Sequence, residues 1–361
     1  MKKSLFALPA ALMLAAMPAS AATTLTAQEA LSAYNLIVLG DARLANEADG
    51  RVFVGGDATT KKADNNNGNN NTNQHTQVGN TDLPGLTVVG NLTGQYSVKA
   101  GGVSVGLNAY NAPQNMNGQN QAIKIGGTGV APQNFNNGLT FTQNLNTTDP
   151  TFLQGLQDQR DAFKVGADSF PALSASLKAF GDATVSTITN VNGAFTVNGS
   201  GIQVINLSAA DFASIGTITF SGLDATDTVY VNVAGSAINL NKNVNGNPYG
   251  ANVLFNFYEA STLEVNTAFK ASVLAAGATV ADGKYKASID GAMVFNAFYQ
   301  GDPEVHLSNG TNVSFTGSFP PPPTVPSVPE ASTWAMMIVG FGAIGNALRL
   351  RSRRRQARVA A

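Results

Sequence analysis

Two histidines are the residues of this chain best suited to acid–base or metal chemistry near neutral pH. His75 lies within an Asn-rich stretch, and His306 follows Pro303-Glu304-Val305. Neither has a second His or Cys at the spacing that a metal site requires, and the chain contains no cysteine. We therefore interpret both as surface histidines and predict no metal site and no cofactor.

Two glycine-rich stretches could belong to catalytic or nucleotide-binding motifs. Gly199-Ser200-Gly201 lacks the G-x-S-x-G pattern of a nucleophile elbow and lies in a turn-like run. Gly126-Gly127-Thr128-Gly129 lacks the lysine and the following helix of a phosphate-binding loop, so we interpret it as a turn. Serine and aspartate are plentiful, which leaves a Ser-His-Asp triad open, but no catalytic residue is predicted.

Asp-Gly pairs and aromatic residues suggest two binding hypotheses. Asp282-Gly283 and Asp290-Gly291 could supply oxygen ligands to Ca²⁺, but their spacing matches no calcium motif, and simple turns are favoured. Aromatic rings of the C-terminal region could stack on sugars, although core packing is their commoner use. These rings belong to Phe255, Phe257, Tyr258, Phe295, Phe298 and Tyr299.

The composition indicates a β-rich, exported chain. Only 12% of the 361 residues are charged, and abundant Thr, Val, Asn and Gly are typical of short strands separated by turns. Removing Lys2, Lys3 and the six tail arginines from the 21 basic residues leaves 13 against 22 acidic ones. An acidic body argues against nucleic acid as a partner, because phosphate contacts need Lys and Arg. The absence of cysteine suits an exported protein.

Short alternating segments that end in Gly or Asn recur along the N-terminal half. The later ones follow each other at intervals of about 16 and 20 residues, near one turn of a β-solenoid. We therefore predict a mainly β fold, with an elongated β-solenoid or β-helix-like domain over residues 23–319. A β-sandwich with Gly-rich turns stays open as the alternative. The segments begin at Val52, Leu86, Val103 and Ile123.

Two regions interrupt this pattern. Residues 65–73 read NNNGNNNTN and are predicted to form a loop, because they offer nothing to bury. Residues 149–180 are predicted to form a short helical insertion, with Asp149 as the cap and Pro150 at the first helical position. We interpret the insertion as two short helices, or as one helix broken at Ser169-Phe170-Pro171. We expect the helices to plug an end or cover an edge of the β structure.

The two ends of the chain carry targeting signals. Residues 1–22 combine two lysines, an apolar stretch and small residues, which predicts a secretory signal peptide with Ala19 and Ala21 at the peptidase site. A Pro-rich spacer at 320–329 precedes an apolar segment at 334–348, which would span about 23 Å as a helix. Arginines follow it directly, so we predict a short transmembrane segment with a cytoplasmic C-terminus.

Residues 328–355 resemble a PEP-CTERM sorting signal. The resemblance implies recognition by a membrane-embedded exosortase in a Gram-negative host that makes exopolysaccharide. Ala331 stands where that family usually has proline, and a permanent single-span anchor is the alternative. The matching positions are Val328, Pro329, Glu330, Trp334, Arg351, Arg353, Arg354 and Arg355.

The body resembles the choice-of-anchor A domain. The resemblance is carried by dispersed segments, among them Asp49-Gly50-Arg51-Val52-Phe53-Val54-Gly55-Gly56-Asp57 and Thr228–Gly235, whereas Ala276 replaces a usual proline. It implies a secreted bacterial protein with an adhesive role.

These features together predict an exported, non-enzymatic surface or matrix protein, adhesive and associated with exopolysaccharide and biofilm. Its expected partners are signal peptidase, the exosortase, the inner membrane as a transient or lasting anchor, and exopolysaccharide or other surface proteins. One alternative is a polysaccharide hydrolase with a carboxylate pair beside an aromatic groove. A third is an ice- or surface-binding protein, for which the sequence offers only Thr217-Ile218-Thr219.

Overall fold

The computed structural model describes residues 24–60, 83–113, 116, 121–132, 138–186, 188–245, 250–308 and 314–321, with isolated positions at 336, 337, 339, 341 and 349. The chain divides into two compact units, Met1–Phe319 and Pro320–Ala361. Three predicted regions lie outside the described residues: the signal peptide, the 65–73 loop, and nearly all of 322–361. His75 also lies outside them, so the predictions made for these regions stay untested. Among the described positions, no helix reaches the length and apolar character needed to cross a membrane.

The described part of the body is mainly β with few helices, as the composition predicts. The strands of the N-terminal half are two to four residues long, because Gly and Asx turns end them early. They are β1 (Leu36–Val38), β2 (Ala42–Leu44), β3 (Val52–Val54), β4 (Ala58–Thr60), β5 (Leu86–Val88), β6 (Leu92–Thr93), β7 (Val103–Val105), β8 (Ala122–Ile125) and β9 (Thr140–Thr142).

The C-terminal half contains longer strands, up to the nine residues of β19. They are β10 (Ile188–Val191), β11 (Ala194–Val197), β12 (Ile202–Leu207), β13 (Thr217–Ser221), β14 (Thr228–Val233), β15 (Ala237–Leu240), β16 (Asn243–Asn245), β17 (Val253–Asn256), β18 (Thr262–Val265), β19 (Ser272–Val280), β20 (Ile289–Asp290), β21 (Met293–Tyr299) and β22 (Val305–His306).

Five α-helices are present in the described residues: α1 (Ala27–Ala33), α2 (Leu145–Thr148), α3 (Thr151–Lys164), α4 (Phe170–Ala183) and α5 (Ala209–Ser214). Thr26 and Glu29 form a capping box on α1, and the Ser169 hydroxyl caps α4. The predicted pair of helices is confirmed, but the predicted start of the first is wrong by one residue. α3 begins at Thr151, because Asp149 ends α2 and its carboxylate accepts the Thr151 N–H at 3.1 Å.

The main sheet contains sixteen strands within the described residues, and all of its pairs are parallel. One row of strands runs in the order β12-β14-β17-β19-β21-β1-β3-β5-β7-β8-β9. The N-terminal strand β1 thus lies between β21 and β3, so the two halves of the chain join at the middle of this row. We call it the first ladder.

A second ladder branches from the same sheet. It contains β15, β18, the C-terminal parts of β19 and β21, and then β2, β4 and β6. The β19 strand serves both ladders, because its register with β21 shifts between Ala275 and Thr279. A separate four-stranded sheet has the order β10-β11-β13-β16, and β20 pairs with β22.

The three sheets enclose one large apolar core. Leu36 and Val38 enter it from the first ladder, Ala42 from the second, and Phe195 and Ile218 from the four-stranded sheet. The central first-ladder strands β1 and β3 are buried on both faces, which explains their unbroken apolar runs. The strands at the ends of this ladder, β8, β9 and β12, carry exposed positions. Strands of the second ladder alternate between buried and open positions, so one face of that ladder meets solvent.

The helices cover a sheet face rather than an end or an edge, so this part of the prediction is wrong. The outer side chains of the first ladder, such as Ile37, Phe53 and Leu254, form a second apolar cluster with Phe163 of α3 and Leu177 of α4. These outer apolar side chains would be exposed to water without a covering layer. Packing α3 and α4 against this face buries them and stabilises the fold.

Gly126 marks a place where the ladder leaves no room for a side chain. A Cβ there would lie 1.9 Å from the Gly106 carbonyl oxygen, whereas a Cβ on Gly155 in α3 would meet nothing within 4 Å. We expect Gly126→Ala to lower the free energy of unfolding by about 3 kcal/mol, because backbone must shift. Gly155→Ala is the control and should raise it by about 0.5–1 kcal/mol. Urea unfolding of both variants measures this, and equal midpoints would contradict it.

Candidate functional site

The histidine and aspartate residues considered for catalysis or metal binding do not form one cluster among the described residues. The Nδ1 atom of His306 lies 3.1 Å from Oδ2 of Asp49, at the end of strand β22. Asp282 faces the Arg43 guanidinium at 3.3 Å, whereas Asp290 pairs in register with His306. Within the described residues, no group of three or more His, Cys, Asp or Glu side chains is arranged to hold a metal ion.

The two glycine-rich stretches donate hydrogen bonds to backbone carbonyls and to one carboxylate. The Gly126 N–H donates to the Val105 carbonyl, and the Gly127 N–H donates to the Leu107 carbonyl. The Gly201 N–H donates to the Asp227 carboxylate at 2.7 Å. Both stretches therefore belong to turns between strands, as the sequence predicts.

The predicted aromatic cluster divides between core and surface. Phe255, Phe257, Phe295 and Phe298 are fully buried in the main core, where Phe255 and Phe269 meet edge to face with ring centroids 4.8 Å apart. The core interpretation is confirmed for these four. The two tyrosines are the exceptions: Tyr258 is half-buried, and Tyr299, next to Phe298, has 37% of its surface exposed.

The exposed side of the second ladder forms a regular surface of outward-pointing side chains. We call it the outer face. Beneath it lies one unbroken row of buried side chains across eight strand positions, and the residues on either side of this row point to solvent. The buried row is Ile238, Leu263, Val280, Phe298, Ala42, Ala58, Leu92 and Ala109.

One row of the outer face consists of hydrogen-bonded Asp, Asn and Thr residues. Asp41 Oδ1 accepts the Asp57 N–H at 2.8 Å, and Asp57 Oδ1 accepts the Asn91 N–H at 2.7 Å. Asn91 Oδ1 accepts the Asn108 N–H, and Asn108 Oδ1 accepts the Thr128 N–H. Each side chain thus fixes the start of the next strand, and we call this series the Asx row.

The row on the other side of the buried side chains begins and ends with an aromatic ring. Register places Tyr299 beside Arg43, Arg43 beside Thr59, and Thr59 beside Thr93. Tyr110 follows next, because the residue before it bridges to Leu92. We call Tyr299, Arg43, Thr59, Thr93 and Tyr110 the tyrosine row.

A groove of 420 Å³ lies between α4, the residues that follow β17, and the middle of β19. Lys178 dominates it: its ammonium group is paired with Asp182 and lies 5.4 Å from the centre of the Tyr258 ring. The Asp182 carboxylate also accepts the Asn206 amide at 3.1 Å. The described lining offers one carboxylate that is already engaged, rather than a pair that could flank a glycosidic bond.

Comparison with known families gives a match over the same region. A model of the family described as "Putative Ice-binding-like adhesive domain" matches residues 27–307, which include every strand of the outer face. The chain belongs to this family. No curated protein and no solved structure gives a significant match to the chain. Membership in the ice-binding-like adhesive domain family supports the adhesive class of function.

The tyrosine row of this ice-binding-like adhesive domain was not predicted, although the sequence contains a signal for it. A four-residue pattern recurs along the second ladder. Its first position is Gly or Leu, its second is Asp or Asn, its third is a small or apolar residue, and its fourth is a residue whose side chain points outward. It reads Gly56-Asp57-Ala58-Thr59, Gly90-Asn91-Leu92-Thr93 and Leu107-Asn108-Ala109-Tyr110. Aligning these repeats would have placed Tyr110 in one row with the two threonines.

His306 should make the stability of the domain depend on pH. The hydrogen bond to Asp49 raises the pKa of His306 above its usual 6.5, partial burial opposes this, and the charges of Asp49, Asp290 and Glu304 add to the rise. A raised folded-state pKa stabilises the fold fully below about pH 6.5, and this contribution is lost as pH rises through the folded pKa. We expect the thermal midpoint to fall slightly between about pH 6 and pH 8.

The His306→Gln variant is the control for this prediction. It keeps a polar side chain but cannot titrate, so its midpoint should vary less over the same range. His75, the only other histidine, is present in both proteins and cancels in the comparison. Parallel profiles for the two proteins would contradict a role for His306.

Proposed function

We propose that this protein is an exported, non-enzymatic adhesin that presents its outer face to other surfaces. The match of residues 27–307 to an adhesive domain family is the observation that carries the proposal. The outer face supports it, because a regular surface on paired strands holds its side chains in fixed positions before any partner arrives. Many weak polar contacts along such a face add up to strong attachment.

The ends of the chain suggest how the adhesin would reach its place. The signal peptide at 1–22 would start export, and the sorting signal at 328–355 would hold the chain in the inner membrane of a Gram-negative cell for an exosortase. Release to the cell surface or matrix would follow, in keeping with a biofilm role and with the choice-of-anchor A resemblance. Arginines after the apolar segment and lysines before the signal core favour the same topology.

The β-solenoid interpretation belongs to this proposal. It is supported by uniform parallel pairing in the main sheet and by the way in which β1 to β6 alternate between the two ladders around one core. A sandwich joined by short hairpins would instead give antiparallel neighbours. In a solenoid, stacked turns of this kind create an extended surface that can serve for binding.

Attachment of cells is the direct test of the adhesive function. Deleting the gene in the native host should reduce cell aggregation and retention in the matrix, and the full-length chain should restore both. Fractionation with intact-mass measurement of the mature protein should show loss of residues 1–22 and place the body outside the inner membrane. Unchanged attachment, or a full-length product in the cytosol, would refute the proposal.

Binding to ice is a second candidate, because the four-stranded sheet carries an exposed patch of small hydroxyl side chains. Thr217 and Thr219 are exposed on β13, and Thr196 of β11 accepts a hydrogen bond from Ser221 at 3.2 Å. The sequence indicated only Thr217 and Thr219, and the strand register places Thr196 and Ser221 beside each other on the same sheet. Thermal hysteresis of the full-length protein, lost on Thr217→Tyr and Thr219→Tyr substitution, would favour this function over adhesion.

A further inference from the structure

Tyr110 and Tyr299 are the two exposed aromatic side chains among the described residues of 24–321. Tyr110 is 57% exposed and Tyr299 is 37% exposed, whereas the other large rings among these described residues are buried or half-buried. An exposed ring does not contribute the stabilisation that burial of its apolar surface would give. Their location therefore points to a contact surface.

Both rings lie in the same register row, although 189 residues separate them in sequence. The path from Tyr299 through Arg43, Thr59 and Thr93 to Tyr110 crosses four strand-to-strand steps. At about 4.8 Å per step, the two rings lie about 19 Å apart along the stacking direction. Paired strands hold them on one flat surface.

The side chains between and beside the rings are hydrogen-bonding groups. Thr59 is exposed and Thr93 is half-buried, and both carry hydroxyl groups in the row itself. Asp41 and Asp57 of the Asx row are exposed next to them, and each uses Oδ1 to accept a backbone N–H. A carboxylate has further acceptor positions that can receive hydroxyl protons.

The charges of this surface discriminate between classes of polymer. Arg43 is the one cation in the tyrosine row, and its guanidinium already pairs with Asp282 at 3.3 Å. Among the described side chains, Arg43 and Asp282 offset each other, and Asp41 and Asp57 add negative charge alongside. These groups disfavour uronate-rich polysaccharides and nucleic acids, whereas a neutral, hydroxyl-rich polymer meets no charge penalty.

We propose that the tyrosine row binds an extended, neutral polysaccharide chain that runs across the strands from Tyr299 to Tyr110. The two rings stack on the apolar faces of sugar rings, and one sugar of an extended chain advances by about one strand spacing. The hydroxyls between them bond to Thr59, Thr93 and the Asx-row carboxylates. This inference rests on the proposed adhesive function and names its ligand class.

The test is gel affinity electrophoresis of the full-length protein in three neutral polymers: hydroxyethylcellulose, galactomannan and the neutral exopolysaccharide fraction of the host. At least one should retard the wild-type protein. Tyr110→Ala with Tyr299→Ala should weaken binding about tenfold or more, because two stacking contacts are lost. Tyr110→Phe with Tyr299→Phe should retain binding, because stacking does not need the hydroxyls.

Matched controls separate the site from general surface effects. Val165→Ala with Val185→Ala removes two exposed apolar side chains elsewhere, at 77% and 89% exposure, and should leave binding unchanged. Equal melting temperatures of all variants exclude unfolding as the cause. Retardation by polygalacturonate in preference to the neutral polymers would overturn the neutral-ligand assignment.

The outcomes also separate this inference from the proposed function. If the protein promotes cell attachment but no neutral polymer retards it, adhesion stands and the polysaccharide site fails. If a neutral polymer binds and the alanine variant binds equally well, the ligand class stands but the site is elsewhere. If binding depends on the tyrosines while gene deletion leaves attachment unchanged, the adhesive function fails instead.

Discussion

Replacing Phe255 with alanine should lower the free energy of unfolding by about 4 kcal/mol, the largest loss that we expect from a single substitution. The ring is fully buried at the middle of an aromatic group, with Phe269 at 4.8 Å, Phe257 at 6.2 Å and Phe212 at 6.3 Å between centroids. Phe212 lies on α5, Phe257 directly follows β17, and Phe269 forms a bridge with Ile289. Their backbones are thus fixed by the surrounding structure, which limits collapse of the rings into the space. Urea unfolding of the purified protein measures the loss.

Phe220→Ala is the matched control for this substitution. Phe220 contacts the same group, with its centroid 6.5 Å from that of Phe255, but it is only half-buried at the edge. We expect a loss of about 1–2 kcal/mol for this variant, because less apolar surface is removed from the core. Similar losses for the two variants would mean that the core relaxes around the Phe255 cavity.

Replacing Asn256 with leucine should cost about 3 kcal/mol and loosen α4, although leucine has a similar size. Asn256 is fully buried beside Phe255 but faces the opposite side of β17. Its Nδ2 donates to the Ser174 carbonyl at 2.9 Å and to Asn232 Oδ1 at 2.8 Å, and its Oδ1 accepts the Ser174 hydroxyl at 2.6 Å. Leucine would leave these buried groups without partners.

The test of this prediction combines urea unfolding with amide hydrogen exchange in α4. Asn206→Leu is the control, because Asn206 ends the same amide series at an exposed position, where its Oδ1 accepts from Asn232 at 2.9 Å. Water can replace its bonds, so we expect a loss below about 1 kcal/mol and little change in α4 exchange. Equal exchange rates in the two variants would show that the buried amides do not hold the helix.

These neighbouring residues illustrate why burial of the first ladder was harder to predict than its strands. Phe255 reads as a core residue from its type alone, whereas Asn256 reads as a turn residue. The structure buries both, because α4 covers the second face of the strand and satisfies the amide. A local sequence pattern predicts which residues form a strand. It does not predict whether other elements pack against one or both faces of the resulting sheet.

Local chemistry determined the class of fold and the turns from the sequence by itself. Thr- and Val-rich segments form the strands, Gly and Asx end them, and Ser169 and Pro171 start α4 where the pattern indicates. The glycine stretches proved to be turns and four of the six marked aromatic residues proved to be core. These features depend on neighbours within a few residues, which a single sequence contains.

Only the tertiary structure decided which face stays open and which side chains share it. The contacts of the Asx row join residues 16, 34, 17 and 20 positions apart, and Tyr299 meets Arg43 from the other end of the chain. Because loops between strands vary so much in length, strand register follows from packing around the common core rather than from spacing. The tyrosine row exists only through that register.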